Sequence, residues 1–186
     1  MLKLLKPVSL LILILLINSC DDYCEVTDYG SYLPLRIGNK WTYHNNTTWE
    51  VIGTKEINDN EFYIILMEWY NYDGQYSRDS SYYRFEGSKL YQYNESSAYF
   101  MSDSLEYLLA DFSLKGGDVF HQQNTDFNVT VLSDNPNEFT FYYDHPDWAD
   151  EEYTITFGID RGITRGWCIP YYPDKCSLLI IDYDLQ

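Results

Sequence analysis

Between residues 127 and 157 the chain alternates apolar and polar side chains with a period of two. Phe127, Val129 and Val131 alternate with Asn128 and Thr130, Phe139, Phe141 and Tyr143 with Thr140 and Tyr142, and Tyr153, Ile155 and Phe157 with Thr154 and Thr156. Successive side chains of an extended strand point to opposite faces, so this pattern specifies strands with one buried and one wet face, paired antiparallel. Turn-forming clusters punctuate the runs: Gly38-Asn39, Asn58-Asp59-Asn60, Asp73-Gly74, Glu86-Gly87-Ser88, Gly116-Gly117-Asp118, Ser133 to Asn137 and Gly162 to Gly166. Hairpin therefore follows hairpin. Residues 61–70 are apolar on both faces (Phe62, Ile64 and Leu66 against Tyr63, Ile65, Met67 and Trp69), which places that strand centrally in a sheet. Only Leu105, Leu108, Leu109 and Phe112, behind caps at Ser102 and Ser104, have helical spacing, and there a short helix competes with a strand. The expectation is an all-β, mainly antiparallel sandwich or open barrel of about 8–10 strands with at most one short helix.

A chain of 186 residues, 45% hydrophobic and 18% aromatic, is long enough for one sizeable core and too apolar for disorder. Its net charge is −17, and without the first 19 residues, which hold two lysines and no acid, it becomes −19. Nucleic acid and anionic lipid headgroups need a basic surface, so neither is expected as the main partner.

Those first residues have the layout of a secretory signal: Lys3 and Lys6, an apolar stretch from Val8 to Ile17, then Asn18-Ser19-Cys20. This ten-residue stretch is about half of what spans a bilayer as a helix, which disfavours a transmembrane anchor. Ile17-Asn18-Ser19-Cys20 resembles the lipobox of bacterial lipoproteins. That resemblance implies acylation of Cys20 as the mature N-terminus, anchored through buried methylenes worth about 0.8 kcal/mol each. Asp21, Asp22 and Glu25 resemble the acidic tracts that direct some lipoproteins to the outer membrane or cell surface, and equally suit a solvated tether. The organisation expected is a signal peptide over 1–19, a tether over 20–31 and one β-domain over 32–186.

Export implies an oxidising compartment, where Cys24, Cys168 and Cys176 remain once Cys20 carries lipid. Cys168 and Cys176 flank Ile-Pro-Tyr-Tyr-Pro-Asp-Lys, a turn-prone loop whose closure by a disulfide would contribute roughly 2.5 kcal/mol. Zinc is the rival, but the spacing is not C-x-x-C, and His44, His121 and His145 are far apart in sequence. The state of Cys24 is left open.

A short repeat links Leu35-Arg-Ile-Gly38-Asn39-Lys-Trp41 to Leu114-Lys-Gly-Gly117-Asp118-Val-Phe120 at an offset of 79 residues. It fits two related halves of one β-domain, or chance. Tyr32-Leu-Pro34-Leu-Arg-Ile-Gly38-Asn39-Lys-Trp41-Thr-Tyr43, together with Leu109-Ala-Asp-Phe-Ser-Leu-Lys-Gly-Gly-Asp118 and Gly158 to Ile163, resembles a family of uncharacterised bacterial lipoproteins and secreted proteins whose domain starts P-L-x-x-G-N-x-W-x-Y. The resemblance implies an antiparallel β-domain and no particular activity.

Catalytic signatures are missing from the sequence: it has no G-x-S-x-G, H-E-x-x-H, P-loop, G-x-G-x-x-G or EF-hand spacing. The densest acidic stretch, Asp144-His-Pro-Asp147-Trp148-Ala-Asp150-Glu151-Glu152, suits a calcium site through Asp144, Asp147, Asp150 and Glu151, a carboxylate pair for hydrolysis, or simply a polar loop. The 20 tyrosines, 9 phenylalanines and 5 tryptophans exceed what a core requires. Trp69, Tyr72, Trp148, Tyr171 and Tyr172 are the ligand-binding candidates, because such rings bury much area with little rotamer entropy and keep a polar handle. The expected function is a non-enzymatic, lipid-anchored binding module of the outer membrane or cell surface that meets a glycan, a peptide or a partner protein, with no cofactor. A hydrolase using carboxylates in 144–152 and a purely structural envelope component are the alternatives.

Overall fold

The computed structural model describes residues 28–44, 46–70, 73–96, 103–147, 152–166 and 178–186. After a 3-10 turn at Tyr29–Tyr32 come twelve strands: β1 Lys40–Tyr43, β2 Thr48–Ile57, β3 Asn60–Tyr70, β4 Tyr76–Glu86, β5 Lys89–Ser96, β6 Asp103–Asp111, β7 Val119–His121, β8 Asn128–Asn135, β9 Glu138–Asp144, β10 Tyr153–Gly158, β11 Gly162–Gly166 and β12 Leu178–Asp184. The fold is all-β, with more strands than the 8–10 expected. Gly162–Gly166, expected as a turn from its two glycines, is strand β11 instead.

Every strand pairs antiparallel with its neighbours in the order β6-β5-β4-β3-β2-β1-β12-β11-β10-β9-β8-β7. β12 joins two sheets: Leu178 and Leu179 pair with β11, and the stretch from Ile180 to Asp184 pairs with β1. The sheets close over one core in which Trp41, Tyr43, Val51 and Ile65 meet Val129, Phe141, Tyr143 and Phe157. Phe112, on the link between the halves, stacks on Tyr32 at 4.7 Å and meets Phe139, Phe141 and Phe157 edge-on at 5.2–5.6 Å.

The segment with helical spacing is strand β6. Its register on β5 slips at Leu109, where Leu90 faces Ala110 and Tyr91 faces Leu108. The bulge leaves Leu109, Ala110, Asp111 and Phe112 buried in succession, which destroys the period-two signal that identified the other strands.

The repeated motif builds the same turn twice. Gly38 N–H donates to Val51 O at 2.8 Å, Asn39 N–H to Arg36 O at 3.0 Å, and Val51 N–H to Asn39 O at 2.9 Å. In the second half, Gly117 N–H donates to Val131 O at 2.8 Å, Asp118 N–H to Lys115 O at 2.8 Å, and Val131 N–H to Asp118 O at 2.9 Å. Both glycines hold positive φ, 96° and 92°, which explains the residue type. A bulge follows each valine, at Val51/Gly53 and at Val131/Ser133. Raising each strand number of the first half by six reproduces the neighbour order of the second.

The correspondence fails at one place. β12 forms a ladder with β1, whereas no ladder joins the equivalent β6 and β7 among the described residues, and the barrel is not closed. Side chains cover the edge of β6 instead. Asn124 Nδ2 donates to Glu106 O at 3.3 Å, Gln122 Nε2 to Leu108 O at 2.9 Å, and Tyr143 Oη to the bulged Leu109 O at 2.7 Å. A sheet edge satisfied in this way offers no free carbonyls there to a stray strand.

Candidate functional site

An up-and-down order of strands puts alternate connections at opposite ends of the sheets. At one end β2–β3, β4–β5 and β8–β9 turn in two residues and β10–β11 in three, and only the seven-residue β6–β7 link is long. At the other end the connections are 44–47, 71–75, 97–102, 122–127, 145–152 and 167–177. The chain enters at the short-turn end, where Ser31 O accepts from Asp160 N–H at 2.7 Å and Tyr32 Oη donates to Pro136 O at 2.8 Å.

Most of the residues singled out in the sequence belong to the long connections. Tyr72, Trp148, Asp150, Glu151, Cys168, Tyr171, Tyr172 and Cys176 fall within them but outside the described residues, as do Cys20 and Cys24. Asp144 ends β9, half-buried and paired with Asn128, while Asp147 is exposed and its backbone N–H donates to His145 Nδ1 at 3.2 Å. The His145 ring sits edge-on against Phe127 at 5.2 Å. A bond from Tyr142 to Glu152 pushes the tyrosine hydroxyl up to about 12. No group of three or more metal-ligating side chains occurs among the described residues, and no described helix is long and apolar enough to cross a membrane.

Trp69 is half-buried on the same face of β3 as Ile65, toward the core. The opposite face of this sheet carries a second aromatic cluster: Ile57, Phe62 and Tyr82 are buried, with Ile64 and Tyr93 packed on them. Among the described residues no sheet covers them. Their cover is made of charged side chains, whose stems shield rings while their heads stay in water. Lys55 Nζ lies 4.9 Å over Tyr82 and pairs with Glu95. The Arg84 guanidinium lies 4.3 Å over Tyr91 and 5.5 Å over Phe62, with Nε donating to Glu106 Oε1 at 2.7 Å and a further pair to Glu86 at 3.1 Å.

Toward the long-connection end the same face is open. Tyr70 and Tyr76 face each other across the β3–β4 hairpin, rings 5.8 Å apart and nearly perpendicular, 62% and 52% exposed. Tyr76 Oη donates to Glu68 Oε1, which raises the tyrosine pKa, and Thr48 Oγ1 donates to Glu68 Oε2 at 3.5 Å. Sequence reasoning missed Tyr76 and Glu68. The available signal was that Tyr70 and Tyr76 flank a five-residue connection, so that hairpin pairing sets them opposite one another.

No protein-family model matches the chain, and neither a curated protein nor a solved structure does.

Proposed function

We propose that the protein is a lipid-anchored envelope or cell-surface binding module, held by acyl chains on Cys20, that meets a glycan, peptide or protein partner without catalysis. The observation that carries this reading is the polarity of the sheets. The chain enters at the short-turn end, and every long connection but the β6–β7 link leaves from the other, with the exposed Tyr70 and Tyr76 pair beside them. An anchor at Cys20 would direct that end away from the lipid. Loops on a rigid β-scaffold suit recognition because their sequence is free of the packing demands of the core.

Two experiments test it. In fractionation, the protein is expected with membranes and a Cys20→Ala variant in the soluble fraction; a variant that stays with membranes refutes the anchor. In a melting screen of the mature protein against oligosaccharides, peptides and calcium, a ligand at 100 times its Kd adds about 2.7 kcal/mol, which is several degrees for a domain of this size. A shift with an oligosaccharide or peptide supports the binding reading. Loss of a measured hydrolysis on replacing Asp144, Asp147, Asp150 or Glu151 by its amide would replace that reading with an enzymatic one.

A further inference from the structure

The outer face of β2 to β6 presents three settings in which aromatic rings lie beside carboxylates. Two are filled by the chain's own cations: Lys55 over Tyr82 with Glu95, and Arg84 over Tyr91 and Phe62 with Glu86 and Glu106. The third is Tyr70, Tyr76 and Glu68, and among the described residues no lysine or arginine lies over either ring. Arg78 is the cross-strand neighbour of Glu68 and acts electrostatically on the Tyr76 hydroxyl, yet it forms no ion pair with Glu68 and lies over neither ring. Glu68 accepts two hydrogen bonds, from Tyr76 and Thr48, and a carboxylate has capacity for about four.

We infer that Tyr70, Tyr76 and Glu68 form a docking point for an arginine side chain presented by a protein partner. The inference rests on the binding-module reading and gives it a partner chemistry. The Arg84 setting is its internal precedent, with the same combination of two rings and carboxylates around one guanidinium. A planar guanidinium can lie on one ring while its edge donates to the carboxylate, which a lysine ammonium does less well. A net charge of −17 favours approach of a basic segment.

The test titrates the folded mature protein with the peptide acetyl-Gly-Gly-Arg-Gly-Gly-amide and with its citrulline counterpart, which keeps the shape and lacks the charge. The readout is the ring resonances of Tyr70 and Tyr76. Saturable shifts with the arginine peptide are expected, at least threefold weaker with citrulline. Tyr70→Leu and Glu68→Gln should each weaken binding about three- to fivefold, while Glu61→Gln, exposed at the opposite end of β3, should leave it unchanged. Both variants lie at an exposed hairpin end, and an unchanged amide spectrum elsewhere verifies the fold. Equal response to the two peptides, a response that survives Tyr70→Leu, or no saturable shift overturns the inference. If it is overturned while the melting screen responds to an oligosaccharide or another peptide, the binding-module reading stands without it.

Discussion

Tyr43 and Tyr143 are both fully buried core tyrosines, and removal of their hydroxyls should have opposite consequences. Tyr143 Oη donates at 2.7 Å to Leu109 O, the carbonyl of the residue bulged out of the β5–β6 ladder. Tyr143→Phe keeps the ring and its stack on Tyr153 at 4.5 Å, but strands that carbonyl in the interior. An unsatisfied buried acceptor costs about 1–3 kcal/mol. At roughly 2–4 °C per kcal/mol for a domain of this size, Tm should fall by several degrees. Tyr43 Oη is buried with no hydrogen-bond partner among the described residues. Its O–H has been taken from water without compensation, so Tyr43→Phe should be neutral or stabilising. The assay is equilibrium urea unfolding of both variants beside the parent, with unchanged m so that midpoints report stability. Destabilisation by Tyr43→Phe equal to that of Tyr143→Phe would refute the assignment of Tyr43 as unpaired. A Tyr143→Phe protein as stable as the parent would show that the bulge does not depend on this hydroxyl.

Three further outcomes are expected, two from the structure and the last from the sequence. Gly117→Ala should cost about 1–2 kcal/mol, because φ is +92° with open space around the added methyl, and Gly38→Ala at least as much, because there Gln186 must also shift; urea midpoints unchanged in both would contradict the duplicated turn. Burial raises the pKa of Tyr43, Tyr83 and Tyr143, so the unfolded chain loses these protons first: their stabilisation is complete below pH 10 and drains above it, at about 4 kcal/mol per pH unit for the three together. Stability that is flat from pH 10 to 11 would refute this. Cys168 and Cys176 are expected to resist alkylation in the native unreduced protein, and labelling of both would exclude the disulfide.

How much of this was legible in the sequence differed from strand to strand for physical reasons. β9 declares itself because Phe139, Phe141 and Tyr143 face the core while Thr140 and Tyr142 face outward without interruption. β6 does not, because one extra residue at Leu109 shifts the phase. Residues 61–70 look buried on both faces, and Ile65 and Phe62 are, but Phe62 is covered by Arg84 rather than by a second sheet, which no local pattern encodes. The motif starting at Tyr32 is a folding signature. Asn39 Nδ2 donates to Pro34 O at 2.7 Å, Asn39 Oδ1 accepts from Gln186 N–H at 2.7 Å, Gly38 makes the turn, and Trp41 and Tyr43 fill the core. Such residues build the fold and are silent about what it binds. Trp69 is a binding candidate by residue type, and the pairing of β3 with β4 sets it on the core side and Tyr70 on the exposed side.

The duplication separates what the fold requires from what it leaves free. Features present in both halves, the Gly-Asn/Asp turn, the valine after it and the following bulge, serve the sheet itself. Features present in one half have no such obligation. β2, β3 and β4 run to 10, 11 and 11 residues, against 8, 7 and 6 for β8, β9 and β10. Their outward faces differ as well. In the second half Thr140 bonds to the buried Thr156 at 3.1 Å, a polar contact, whereas in the first half Phe62, Ile64, Tyr82 and Tyr93 form an apolar layer held down by two cations. The added length carries Tyr70 and Tyr76 past that layer to the end where the long connections leave. Folding alone gives no reason to extend one hairpin and cap it with two exposed rings over a carboxylate, since the shorter equivalent hairpin closes the same core without them. The asymmetry between equivalent halves is therefore the strongest structural ground for seeking the partner at the first hairpin rather than at the acidic connection after β9.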